Sequence, residues 1–346
     1  MKNTDGRFFW VDCLRVGAIF GVIVIHIVCQ CLYVYTENMR NIWWSGHLMN
    51  SFAQVSVPIF FMVSGYLALL DHESDVFSDI PRKLKKIIVP LIGWSLMYIV
   101  FSGYLGNEKP LSIIGFFSIA WTPSYFHLWF IYFLIGLYLV TPFLRVLVRF
   151  SDDKVVIYFL VLWFLFSSIG MLVKHYFNVS VMGVPGMVIG YVGYYMLGHL
   201  LGSKKIELRN PQAVFLLVVG YLITVIGTAV ESMPSRQLVP AYYDNFSPGI
   251  VFMAIGMFVL AILIKNVENK KITRFVNSAA QCSFGIYFIH LFLVMIVDGY
   301  TAGMEHSFSG HFAVFVFLCR AVGVFLLSWF FIYILRLSYL KSLLAP

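Results

Sequence analysis

Apolar runs long enough to cross a lipid bilayer recur along this whole chain, and they leave little room for any fold but a bundle of membrane helices. A crossing helix needs about 20 predominantly apolar residues. Ten segments meet that pattern, at about 11–35, 45–70, 86–105, 126–147, 154–173, 183–202, 212–230, 248–265, 281–299 and 311–335. The 346 residues are 60% hydrophobic and 12% charged, with a mean hydropathy of +0.86, which no ordinary soluble domain approaches. The sequence therefore predicts an all-α polytopic bundle of about ten transmembrane helices, folded as a single domain over residues 1–346. The longest loop, near 106–125, holds an apolar stretch from Leu111 to Trp121 that suits an interfacial or re-entrant piece.

Lysine and arginine then set the orientation. With the N-terminus in the cytoplasm, eighteen of them fall on inner segments and four (Arg40, Lys109, Lys174 and Arg236) on outer ones. That bias alternates correctly at every loop and predicts both termini inside. The net charge of +8 follows from this asymmetry and points to membrane lipid, not to nucleic acid. The first segment carries Asp12 and Arg15 near its start and lacks a small-residue cleavage site, so it reads as a retained helix. Cys13, Cys29, Cys31, Cys282 and Cys319 all lie in apolar segments without metal-ligand spacing and read as small buried hydrophobes. Gly17/Gly21, Gly186/Gly190 and Gly198/Gly202 suit close helix contact.

Two ionisable groups interrupt the first apolar run, Arg15 and His26. An arginine at mid-membrane costs about 2.5–3.5 kcal/mol on insertion scales, so such groups usually have a function. Eleven residues make almost three helical turns, which places both side chains on one face, about 16 Å apart along the axis. An imidazole there is suited to take a proton near neutral pH as a general base. The arginine, with Asp12 nearby, is suited to hold a phosphate or a carbonyl, or simply to reach the cytoplasmic surface. Ser64 and Tyr66 bring hydroxyls to the inner end of the second segment. Arg82, Lys83, Lys85 and Lys86 form a basic cluster ahead of Pro90, read as a loop where a nucleotide phosphate from the cytosol can be held or anionic lipid touched. His127 and Trp129 open the fourth segment from the outer side, with His127 placed to face the mouth of the cavity that His26 enters. Tyr287 and His290 stand one turn apart at middle depth, as a structural pair or a substrate contact. Arg320 sits near the middle of the last segment and needs a partner that spacing alone does not name.

No carboxylate lies deep in any segment. Proton-coupled transporters typically use intramembrane Asp or Glu relays and repeated halves with matching broken helices. A histidine base beside cations fits group transfer from an activated cytosolic donor better, with a glycan or lipid-intermediate transporter as the main rival. A shuttle that hands an acyl group to a separate enzyme is a third reading. No segment carries two histidines at ligand spacing, so no metal is expected.

In order along the chain, these residues resemble acyltransferase family 3 membrane proteins. Trp10 to Arg15 followed by His26 is similar to that family's first-helix signature, an arginine, ten positions and a histidine. Ser56 to Tyr66 is similar to its second-helix signature, His127 to Tyr132 and Gly136 to Pro142 to its fourth helix, and Gly285 to His290 to its penultimate motif. Within the family the chain looks most like stand-alone O-acetyltransferases of bacterial surface glycans, such as that of the enterobacterial common antigen. The resemblance implies a multi-pass protein of the bacterial inner membrane that moves an acyl group, often acetyl from acetyl-CoA as co-substrate, onto a glycan or lipid-linked saccharide hydroxyl. It implies no bound cofactor, His26 as the catalytic histidine and Arg15 as its paired arginine. The family often has two arginines three apart before its third helix. Here Arg82 is followed by Lys85, which keeps the charge but loses the bidentate fork.

Overall fold

The computed structural model describes residues 7–33, 35–70, 76–104, 119–179, 185–265, 267–301 and 312–345. Most of the apolar stretch from Leu111 lies outside them. Among the described residues the chain is a helix bundle without a β-strand. Its helices are α1 (Phe9–Leu32), α2 (Arg40–Ala53), α3 (Ser56–Leu70), α4 (Val76–Tyr104), α5 (Trp129–Phe150), α6 (Asp153–Phe164), α7 (Gly170–Phe177), α8 (Pro185–Gly202), α9 (Asn210–Ser235), α10 (Pro248–Ile262), α11 (Lys270–Thr301), α12 (Ala313–Leu337) and a short α13 (Lys341–Leu344).

Nine helical stretches among the described residues are long and apolar enough to cross a membrane. The tenth expected segment is α8, helical over 18 residues and packed on α3 and α5. Arg7 before α1 and Arg336 in the last turn of α12 line one cavity, so the two ends of the described chain share one end of the bundle. An even number of passes, α8 included, is what returns the chain to its starting side.

Local chemistry explains where helices break. The second segment, expected as one span over 45–70, is two helices that meet at Gln54 and Val55. Pro58 lacks the N–H that would bond to the Gln54 carbonyl, and its ring crowds that carbonyl. A π-helical turn at Leu165–Ile169 joins α6 to α7, and α7 ends at Asn178 in a left-handed conformation, φ 54°. The third segment, expected from residue 86, begins its helix ten residues earlier at Val76.

α1 is the hub, packed on α2, α3, α11 and α12. Buried polar side chains tie the ring around it. Arg145 Nε on α5 donates to the Ala68 carbonyl of α3 at 2.7 Å, the Tyr98 hydroxyl on α4 to the Phe288 carbonyl of α11 at 2.7 Å, and the Trp94 indole to the Leu344 carbonyl at 3.0 Å. Arg320, whose partner the sequence left unnamed, donates to the Thr301 carbonyl.

The closest backbone approach is between α3 and α8. A methyl group at Gly65 would overlap the Tyr195 carbonyl, one at Gly198 the Met62 carbonyl, and Gly202 makes room for the Tyr66 ring. Gly17 differs from expectation: it faces open space and lines an apolar groove, not a helix contact. Cys319 is likewise exposed, not buried. Overpacking a tight contact costs roughly 1–3 kcal/mol when neighbours can move, and a carbonyl cannot move without its helix. Gly198→Val is therefore expected to cut the yield of folded, monodisperse protein several-fold in size-exclusion of detergent extracts. A wild-type yield would contradict this contact.

Candidate active site

At the end of the bundle that carries both chain ends, α1, α3, α4, α5, α11 and α12 surround a cavity of about 670 Å³. That volume lies within the range of small-molecule sites. Five cations line it: Arg7, Arg15, Lys83, Lys86 and Arg336. Asp12 is the carboxylate among them, and it takes two hydrogen bonds from Arg7, at 2.6 and 3.1 Å. Further along the walls are Ser64, Tyr138, Gln281 and Ser283, with Phe60, Leu134 and Phe284 between them. A cationic mouth leading to an apolar, hydroxyl-dotted channel is complementary to a ligand with a phosphorylated head and a thin, less polar arm.

Helical geometry divides the basic cluster. Because α4 already runs through residues 82–86, positions 83 and 86–87 share a face while 82 and 85 share another. Lys83 and Lys86 line the cavity with Ile87, Lys86 while still exposed at its rim, whereas Arg82 and Lys85 are exposed and do not line it. Arg82 is also taken up by Asp79, at 2.6 Å. The expected loop cluster of four cations is thus a helical pair facing in and a helical pair facing out. Ser64 reaches the cavity; Tyr66 does not, its ring packing at 5.0 Å on Trp10 and 5.6 Å on Phe8.

Beyond the cavity lies a group of three histidines drawn from distant parts of the chain. The His26 ring on α1 is 5.2 Å from that of His290 on α11, and His290 is 5.3 Å from His127 at the entry to α5. His26 turns toward α11, where its ring meets that of His290. Tyr287 joins the two regions. It lines the cavity, its hydroxyl donates to the His127 carbonyl, and its own carbonyl is 2.7 Å from Nδ1 of His290. His26 itself does not line the cavity. The rings of Tyr287 and Phe130, 5.4 Å apart, both line it, and the Tyr287 ring lies 5.8 Å from that of His290. The exposed ring of Phe126 borders the group, 5.6 Å from His26 and 6.0 Å from His127.

Neither ring nitrogen of His127 finds a hydrogen-bond partner, and Nε2 of His290 is likewise bare, although both residues are buried. His47 provides the contrast. It is also buried, but its Nδ1 takes the Tyr243 hydroxyl at 2.5 Å and its Nε2 donates to the Val225 carbonyl at 3.0 Å, which makes it a satisfied structural histidine. Tyr98 and Tyr125 stack at 4.6 Å against the His127 side of the group. Burial raises the Tyr125 phenol above its ordinary range and keeps it neutral.

Two expected site residues lie elsewhere. Trp129 packs on Phe133 and Tyr191, at 5.6 and 5.7 Å. Arg320 lines a separate apolar cavity of about 740 Å³ between α11 and α12. Arg336, Tyr138 and Gln281 line the main cavity without having been singled out in the sequence. The signal for Arg336 was its place in the last turn of the last long helix, where it reads as an orientation charge. Among the described residues no group of three His, Cys, Asp or Glu is arranged to hold a metal ion.

A family model described as an acyltransferase domain, that of acyltransferase family 3, matches residues 8–337. No curated protein and no solved structure matches the chain.

Proposed function

Because this chain belongs to acyltransferase family 3 and is a multi-pass membrane acyltransferase, we propose that it transfers acetyl from acetyl-CoA to a hydroxyl of a cell-surface or lipid-linked glycan in the bacterial inner membrane. The observation that carries this reading is a cation-lined cavity at one end of the bundle, joined through its lining residue Tyr287 to a group of three histidines.

The donor's phosphates dock at Lys83, Lys86 and Arg336, and its pantetheine arm runs past Arg15 and Tyr138 toward Tyr287. The thioester reaches His26 as the Phe130 and Tyr287 rings part. The glycan hydroxyl arrives from the opposite side, past Phe126. His26 takes the hydroxyl proton as that oxygen bonds to the thioester carbonyl carbon. The C–S bond then breaks, and the departing thiolate recovers the proton from the imidazolium. A two-step route, in which His26 carries the acetyl group transiently, uses the same residues. Tyr287 has its hydroxyl on the His127 carbonyl and Arg320 faces another cavity, so in this reading the ring N–H of His127 supports the oxyanion.

Mass spectrometry of surface polysaccharide from cells with and without the gene tests the reading. Loss of acetyl with chain length and export intact is expected. Loss of export with acetylation of the remaining polymer unchanged would favour the transporter instead.

A further inference from the structure

We propose that His290 is the positioning residue for His26: it accepts the N–H of one His26 nitrogen and so leaves the other bare to act as base. The inference rests on the reading of His26 as the base and deepens it.

The tautomer of His290 follows from its surroundings. A carbonyl only accepts, so Nδ1 of His290, 2.7 Å from the Tyr287 carbonyl, carries the hydrogen. In a neutral imidazole Nε2 then bears a lone pair and no proton. That lone pair is fully buried and meets no donor. A buried acceptor left unpaired is destabilising by roughly 1–3 kcal/mol, so the site is built to receive a donor. The nearby hydroxyls are already committed, Tyr287 to the His127 carbonyl and Tyr98 to the Phe288 carbonyl. What remains at this distance is ring N–H, from His26 at 5.2 Å between centroids and from His127 at 5.3 Å.

His26 is the ring whose protonation state the chemistry needs fixed. A histidine base needs one bare nitrogen, and a third group that holds its second nitrogen fixes the tautomer and the ring's orientation. His290 supplies that group in place of a carboxylate. When His26 accepts the substrate proton, the charge is shared through its N–H toward Nε2 of His290 and onward to the Tyr287 carbonyl. Ligand-free sites often hold such contacts slightly long, and they tighten when substrate binds.

The test compares His290→Asn with His290→Gln. Asparagine keeps a donor near the Nδ1 position but has no acceptor at Nε2; glutamine places its amide oxygen near Nε2. Each variant is expressed in cells deleted for the gene, and their membranes, which carry the native acceptor, are supplied with radiolabelled acetyl-CoA. Transfer into the glycan fraction is normalised to folded protein. The maximal rate is expected to fall about thirtyfold for asparagine and no more than about fivefold for glutamine, with the KM for acetyl-CoA within twofold of wild type in both. Equal losses in the two variants, or a loss that appears only in KM, would overturn the positioning role. His26→Ala, run alongside, separates the two ideas: a dead His26→Ala with equal Asn and Gln rates removes the role of His290 alone, whereas an active His26→Ala removes the base itself.

Discussion

Replacing His26 with alanine is expected to lower acetyl transfer at least a thousandfold while the protein stays folded in the membrane. A positioned general base contributes about 10²–10⁴ in rate, and a base on which the whole proton transfer depends belongs to the upper half of that range. In this reading His290 stands behind His26, with Nδ1 on the Tyr287 carbonyl and Nε2 given to the His26 N–H, so it supports the base and does not take its place. The fold is expected to survive because the imidazole makes no hydrogen bond across helices that the bundle depends on. Its packing partners are the rings of His290 and Phe126. Label from acetyl-CoA appearing in the glycan fraction, measured against protein amount, checks both halves. Transfer within tenfold of wild type would remove His26 from the chemistry.

The double change Lys83→Ala/Lys86→Ala is expected to raise the KM for acetyl-CoA about a hundredfold with little change in maximal rate. Each lysine lines the cavity, and a hydrogen bond to a charged group is worth about 1.5–3 kcal/mol when desolvated and less at a wet mouth, so about tenfold per lysine is the fitting scale. The paired control is Arg82→Ala/Lys85→Ala. These side chains face outward, and Arg82 already has Asp79 as partner, so the donor KM is expected to stay within about threefold. Initial rates over a range of acetyl-CoA concentrations in membrane vesicles separate the two pairs. Equal effects would mean that the cluster acts as a diffuse surface charge; a larger effect from the outward pair would place donor binding outside the cavity.

Much of this architecture is readable without coordinates because the bilayer simplifies the problem. Length and hydropathy alone mark the crossings, and the alternation of lysine and arginine orders them. Arg15 and His26 share a face because both lie on one uninterrupted helix. Reading failed where a helix continued past its apolar part. The polar first turns of α4, from Val76 to Lys86, carry no hydropathy signal, so residues 82–86 looked like loop, and the division into Lys83/Lys86 and Arg82/Lys85 stayed hidden. Pro58 stands in the sequence, but a proline alone does not say where the helix is interrupted, which here is at Gln54 and Val55. Arg336 and Arg7 are more than three hundred residues apart, and no spacing rule joins them; only the return of the chain to its starting side does. The bare Nε2 of His290 depends on which hydroxyls are already taken, a property of packing that no local motif contains.

A structure determined with a non-transferable thioether analogue of acetyl-CoA is the most direct single measurement. The phosphates should lie among Lys83, Lys86 and Arg336, with Phe130 and Tyr287 parted and the carbon that stands in for the thioester carbonyl within about 4 Å of the His26 ring, near-attack distance plus a small allowance. An analogue bound outside the cavity, or one whose reactive end stops at Tyr287 without reaching His26, would contradict the mechanism.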